Sequence, residues 1–163
     1  MKELDQITDY KEAAEILNAE FATLGWHRSA AGGWHRSAAG GPTLEEDETG
    51  WKHYRWAVTF APPSAKPETF AWRVGVGHVV KSGPFKGRPV APNLAEVLGR
   101  CCDDYQSTRN EGFEGWAENF GMDTDSRKAL RMYDECAAIG GRLRRLGLTN
   151  AQIERFAALA SML

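Results

Sequence analysis

Trp51-Lys-His-Tyr-Arg-Trp-Ala-Val-Thr-Phe-Ala61 is the stretch from which the fold can be read. Tyr54, Trp56, Val58 and Phe60 recur at every second position, the period of an extended strand with one buried face. His53 and Arg55 fall on the other face. Pro62, Pro63, Ser64 and Ala65 interrupt the pattern, and Phe70, Trp72, Val74 and Val76 resume it. Two such runs joined by a short Pro-containing loop predict an antiparallel hairpin. Its aromatic face would be buried, and its other face would carry His53, Arg55 and Arg73.

On either side of the hairpin the apolar period becomes helical. A helix is predicted over 8–24, capped by Thr8 or Asp9, with Ala13, Ile16, Leu17, Phe21 and Leu24 inward and Gly25 at its end. Residues 79–92 read as loop, with Gly83-Pro84, Gly87 and three prolines. Asn93 can cap a helix carrying Leu94, Val97, Leu98, Cys101 and Tyr105. Phe113, Trp116, Ala117 and Phe120 form one face of a short helix closed by Gly121. Asp123 or Asp125 caps the next helix, whose stripe is Met132, Cys136, Ile139, Leu143 and Leu146. Arg142, Arg144 and Arg145 suit the negative end of its dipole. Thr149 caps a last helix with Ile153, Phe156, Ala157 and Leu159 or Ala160 inward. The expectation is an α+β fold, a small hairpin-based antiparallel sheet packed against several C-terminal helices, as a single domain over residues 1–163.

Between the first helix and the hairpin, Gly25-Trp-His-Arg-Ser-Ala-Ala-Gly32 is followed at once by an identical Gly33-Trp-His-Arg-Ser-Ala-Ala-Gly40. Two copies of so short a unit cannot build a solenoid. They read as a tandem duplication carried in a flexible loop over residues 25–50, where insertions cost little.

With 163 residues, 42% hydrophobic and 26% charged, the composition is that of an ordinary soluble domain. No apolar run reaches the length of a membrane span, and Met1-Lys-Glu-Leu-Asp5 lacks the apolar core of a signal peptide. Cys101, Cys102 and Cys136 have no Cys-x-x-Cys spacing and fit a reducing cytoplasm. The net charge of −2 conceals segregation. Residues 51–88 hold Lys52, Arg55, Lys66, Arg73, Lys81, Lys86 and Arg88 against Glu68 alone. Residues 93–125 hold two Arg against eight acids, and residues 126–163 hold seven basic residues against three acids. Such blocks either meet a charged partner or neutralise one another on folding.

Few groupings suggest chemistry. Asp123-Thr-Asp125 offers two carboxylates to a divalent metal, too few alone, and both sit where a helix N-terminus attracts anions. Of His27, His35, His53 and His78, no two have His-x-x-x-His spacing, and no Cys lies near them, so no metal and no cofactor are expected. His53 and His78 read as surface or edge residues in the absence of a nearby nucleophile. Gly75-Val-Gly77 lies in a strand pattern and marks a bulge or a close backbone approach rather than a phosphate loop. Cys101 and Cys102 lack a basic neighbour that would make a thiolate. The better candidate is the basic hairpin, and Lys52, His53, Arg55, Arg73, Lys81, Lys86 and Arg88 are the expected partner-binding residues.

One string adds a resemblance. Phe113, Trp116, Phe120 and Gly121 are followed by Asp123, Asp125, Ser126, Arg127, Lys128 and Ala129, then by Tyr133 and Cys136. This resembles a large family of small proteins encoded by phages and prophages, and the likeness extends more weakly to Gly75–His78 and Arg88–Pro92. It implies a phage-type accessory protein, not an enzyme, acting in the cytoplasm of the host bacterium. The kind of genes such families sit among, rather than any residue, implies a protein that binds and blocks a host defence protein, most concretely an anti-CRISPR inhibitor of a Cas effector complex. Its partner would be a host or CRISPR-Cas protein, or a nucleoprotein complex, and not a membrane. The alternative is a nucleic-acid-binding accessory protein that uses the basic hairpin 51–88.

Overall fold

The computed structural model describes residues 2–26 and 42–163. A short 3-10 turn at Leu4–Gln6 leads into α1 (Tyr10–Thr23), followed by β1 (Thr43–Glu46), β2 (Lys52–Phe60) and β3 (Glu68–Gly75). The helices α2 (Leu94–Ser107), α3 (Phe113–Asn119), α4 (Arg127–Arg145) and α5 (Asn150–Ser161) complete the chain. The fold is α+β, as expected. The sheet is antiparallel throughout, in the order β1-β2-β3.

The sheet has one strand more than the periodicity predicts. Thr43–Glu46 lies inside the segment read as a loop over 25–50, yet it pairs with Arg55–Lys52 of β2. Its signal is hidden because only Leu44 of its four residues is apolar, and Leu44 is exposed. The remainder of the repeat, from His27 to Gly40, lies outside the described residues. Trp26 of the first copy is described. Its ring packs edge-on against Phe21 at 5.8 Å and Phe60 at 5.6 Å.

The strand periodicity places the core as expected. Trp56, Val58, Phe60 and Phe70 are buried against the helices, with Val58 opposite Phe70 and Trp56 opposite Trp72. Only the end is misjudged: β3 stops at Gly75, and Val76 is exposed in the turn that follows. Helix α2 packs on α5, α4 and α1, and its Ala95, Val97, Leu98, Cys101, Cys102 and Tyr105 are buried in one core with Trp56, Val58, Phe60 and Phe70. Two helix contacts depend on a missing side chain. A Cβ on Gly99 would sit 2.9 Å from that of Ala160, and one on Gly140 would run into the Tyr105 ring.

Caps follow the sequence with one correction. Asp9 caps α1, Asn93 caps α2 and Thr149 caps α5, the last in a reciprocal box with Gln152. For α4 the cap is Ser126, whose Oγ accepts the Ala129 N–H at 3.2 Å, and neither Asp123 nor Asp125 serves. Asp123 instead accepts the Asp125 N–H at 2.9 Å and shapes the preceding turn. Gly147, at φ 94, ends α4 with the Leu148 N–H bonded back to the Leu143 carbonyl, a left-handed geometry that glycine adopts without strain.

The first half of α4 buries little. Met132 of the expected stripe is exposed, whereas Leu143 and Leu146 are buried. The short α3 packs on this half through Trp116, which is 3% exposed, and through ring contacts joining Phe113, Trp116 and Tyr133. Phe120, expected on the same buried face, is exposed beside Trp116.

Candidate functional site

The face of the sheet opposite the helices is built by the register of three strands. Arg55 lies directly across from Arg73 of β3 on one side and from Thr43 of β1 on the other. Directly opposed residues share a face and bring their Cβ atoms within about 5 Å of each other, so the two arginine side chains leave the sheet from neighbouring positions. Like charges so placed cost stability unless something neutralises them. Among the described residues, no ion pair involves Arg55 or Arg73, nor Lys52, Lys81, Lys86 or Arg88.

The next row on the same face is Glu45, His53 and Gly75. His53 was expected at the surface. It is 4% exposed, because the Trp51 indole stacks on its ring with centroids 4.4 Å apart and planes 21° apart. Its Nε2 lies 3.2 Å from Glu45 Oε2 and its Nδ1 3.3 Å from the Trp51 carbonyl. Glu45 is supplied by the strand that sequence reading missed, so the burial of His53 was not legible either. Gly75 leaves room beneath the indole: a Cβ there would meet Trp51 Nε1 at 3.8 Å. The close approach expected at Gly75 is thus by a side chain, at ordinary contact distance.

Local sequence fixes Trp51 in place. Asp47 Oδ1 accepts the Thr49 N–H at 2.8 Å, the Thr49 hydroxyl at 2.6 Å and the Trp51 N–H at 3.0 Å. The Asp47 N–H in turn donates to the Trp51 carbonyl at 3.0 Å. These bonds, led by the Thr49 hydroxyl, hold the Asp47 carboxyl below its ordinary pKa. Asp47-Glu-Thr-Gly ahead of the aromatic Trp51 is a turn signal that could have identified Trp51 from the sequence. Trp51 nevertheless remains 46% exposed, although one of its ring faces rests on His53.

Beyond β3 the chain does not run as a plain loop. Val79 bridges Pro89, the Val80 N–H donates to the Arg88 carbonyl at 2.9 Å, and the Gly87 N–H returns to the Val80 carbonyl at 2.9 Å. Residues 78–90 therefore form a small flap that leaves the sheet at the Gly75 end, the end that carries Trp51. Its tip, Lys81 to Arg88, is exposed throughout. Arg88 lies over the exposed Phe85 ring at 5.1 Å, and Lys81 Nζ donates to the Gly77 carbonyl at 3.1 Å.

The structure thus sorts the seven expected binding residues. Arg55 and Arg73 stand together on the open face, and His53 supports Trp51 beside them. Lys81, Lys86 and Arg88 belong to the flap. Lys52 is exposed but follows the even-numbered side of β2, opposite to Arg55.

Other candidates lose force. Among the described residues, no three of His, Cys, Asp and Glu gather where a metal could sit. Burial pushes the Cys101 thiol up to about 12 and the Cys136 thiol up to about 11, and it raises Cys102 as well, so none is poised as a thiolate. Much of the C-terminal basic block is spent internally: Arg142 and Arg145 bond Glu68, Arg155 bonds Glu20, and Lys128 pairs with Glu48. Among the described residues, no helix is long and apolar enough to cross a membrane. Compared with known proteins, the chain matches no family model, no curated protein and no solved structure.

Proposed function

We propose that this chain is a phage-type accessory protein, without enzymatic activity of its own, that binds and blocks a host defence protein, specifically as an anti-CRISPR inhibitor of a Cas effector complex. The observation that carries the reading is the open basic face. Arg55 and Arg73 stand opposed with no ion-pair partner among the described residues, while much of the other basic block is paired within the fold. Unneutralised charge on a rigid sheet favours fast, selective docking on an anionic surface. A Cas effector that carries its guide RNA presents such a surface, and an inhibitor seated there acts by occlusion. The phage setting comes from the likeness of the Phe113–Cys136 string to phage and prophage proteins.

The test is a plaque assay on bacteria with active CRISPR immunity. Expression of this protein restores plaque formation by a targeted phage, and pull-down from the same cells recovers a Cas protein. Unchanged immunity in strains covering several CRISPR types would refute the reading.

A further inference from the structure

We infer that Trp51, Arg55 and Arg73 form a site for single-stranded nucleic acid, with a base stacked on the face of the Trp51 indole away from His53 and the adjoining phosphate held between the two guanidinium groups. The inference rests on the reading of the open face as the docking surface, and it names what that face would take.

The placement carries it. Trp51 lies over the His53–Gly75 row, and Arg55–Arg73 is the next row on the same face. Successive same-face rows are about 7 Å apart along a strand, so ring and charges lie within the span of one nucleotide. The indole is prepared for stacking. Its inner face is occupied by His53, which is itself fixed by Glu45, and its backbone is tied to Asp47 at both N–H and carbonyl. A rigid ring loses little entropy when a base settles on it, and stacking of this kind tolerates any base. Two opposed arginines with no ion-pair partner among the described residues suit a phosphate, which accepts bidentate bonds from arginine, while the Glu45 carboxylate in the next row is engaged by His53.

The rest of the face is consistent with a strand of nucleic acid lying along it. Beyond the arginines comes Ala57 opposite Ala71, which adds little height, and then Thr59 opposite Thr69, whose hydroxyls are 2.8 Å apart. A duplex keeps its bases stacked on one another and offers none to an indole, so the site selects an unpaired strand. The strand aromatics Trp56 and Phe70 are buried in the core, as expected, and offer no face to a base. Trp51, at the margin of the strand, takes that role.

The experiment uses the full chain and fluorescein-labelled oligothymidine, followed by anisotropy. Single-strand binding falls by about 0.7 log units per neutralised phosphate for each log unit of salt, so the one phosphate between the arginines predicts about 2.6-fold weaker binding between about 50 and 200 mM. Trp51→Ala weakens binding about 5- to 150-fold, the range for loss of one stacked base, and Trp51→Phe restores most of it. Arg55→Gln with Arg73→Gln removes most of the salt dependence. Circular dichroism confirms that each variant is folded. Equal affinity for duplex and single strand, with no effect of Trp51→Ala, would overturn the site. So would the absence of any oligonucleotide binding by a protein that still protects phage, a result that leaves the blocking function standing. Oligonucleotide binding as described by a protein that gives no protection supports the site and removes the anti-CRISPR reading instead.

Discussion

Arg145 Nε, in the last turn of α4, donates to Glu68 Oε1 at the start of β3 across 2.9 Å. Arg142 Nε approaches the other oxygen at 3.3 Å, and its guanidinium lies 3.9 Å from the centre of the Phe70 ring. Glu68 is the only acid between residues 51 and 88. Its capture by α4 fastens the hairpin to the helices and leaves the hairpin's own cations without a carboxylate from their own segment.

Glu68→Gln should weaken that fastening and change the response to acid. The Arg145 bond, followed by that of Arg142, holds the Glu68 carboxyl below its ordinary value of 4.5. A carboxyl whose folded pKa is depressed contributes stability that is present above its unfolded value and is lost as pH falls through the folded one. The parent should therefore lose thermal stability as pH drops below about 4.5, and the variant should lose less over the same interval. Melting curves from pH 7 downward measure both; parallel acid profiles would show that the pair contributes nothing.

Reversing charge with Arg55→Glu and Arg73→Glu should abolish phage protection while the fold persists. Arg73 is exposed and Arg55 half-buried, and neither has an ion-pair partner among the described residues. Substitution at such surface positions changes stability by about 0.5 kcal/mol or less, whereas like charge at a complementary interface costs far more. Plaque counts with circular dichroism as control decide it. Full protection by the folded double variant would remove the open face from the function.

Trp116→Ala should cost about 3–5 kcal/mol, as for other large buried aromatics. Trp116 is 3% exposed, its Nε1 donates to Ser107 Oγ at 3.1 Å, and its ring meets Tyr133 at 5.5 Å. Denaturant melts give the number directly. A loss below about 1 kcal/mol would mean that α3 can detach while the main core persists.

Removing Gly33–Gly40 should leave the domain folded. Because the two copies are identical, deleting either one gives the same chain, and that chain still contains the Trp26 that packs on Phe60. Eight residues then join Trp26 to Thr43, with a reach of about 30 Å, whereas Phe60 and Arg55 are about 17 Å apart along β2. Halving a loop changes its closure entropy by about 0.6 kcal/mol, so the melting midpoint should move by only a few degrees. Loss of a cooperative transition would contradict this.

The sequence revealed most where periodicity was strong and least where a partner decided the outcome. Trp56, Val58, Phe60 and Phe70 declared a buried face because one face of a strand repeats every second residue. His53 obeyed the same period and still became buried, since Trp51 and Glu45 cover it from outside its own strand. The choice among Asp123, Asp125 and Ser126 as a cap turned on where the helix begins, which side-chain chemistry alone does not rank. Met132 and Phe120 kept a helical apolar spacing, yet no described element covers them. Of the site, the arginines were legible from charge and alternation, while Trp51 depended on the Asp47 turn.

The grip of α4 on the start of β3 also bears on assembly. Strand β3 is an edge of the sheet, and an edge offers unpaired backbone groups to any extended chain that passes. Arg142 Nη2 donates to the Thr69 carbonyl, and Arg73 further along adds an exposed charge. An incoming strand would have to displace the first and bury the second. The same guanidinium that anchors the hairpin thus guards the sheet against growth by strand addition, so Arg142→Ala should promote aggregation even under conditions in which the domain remains folded.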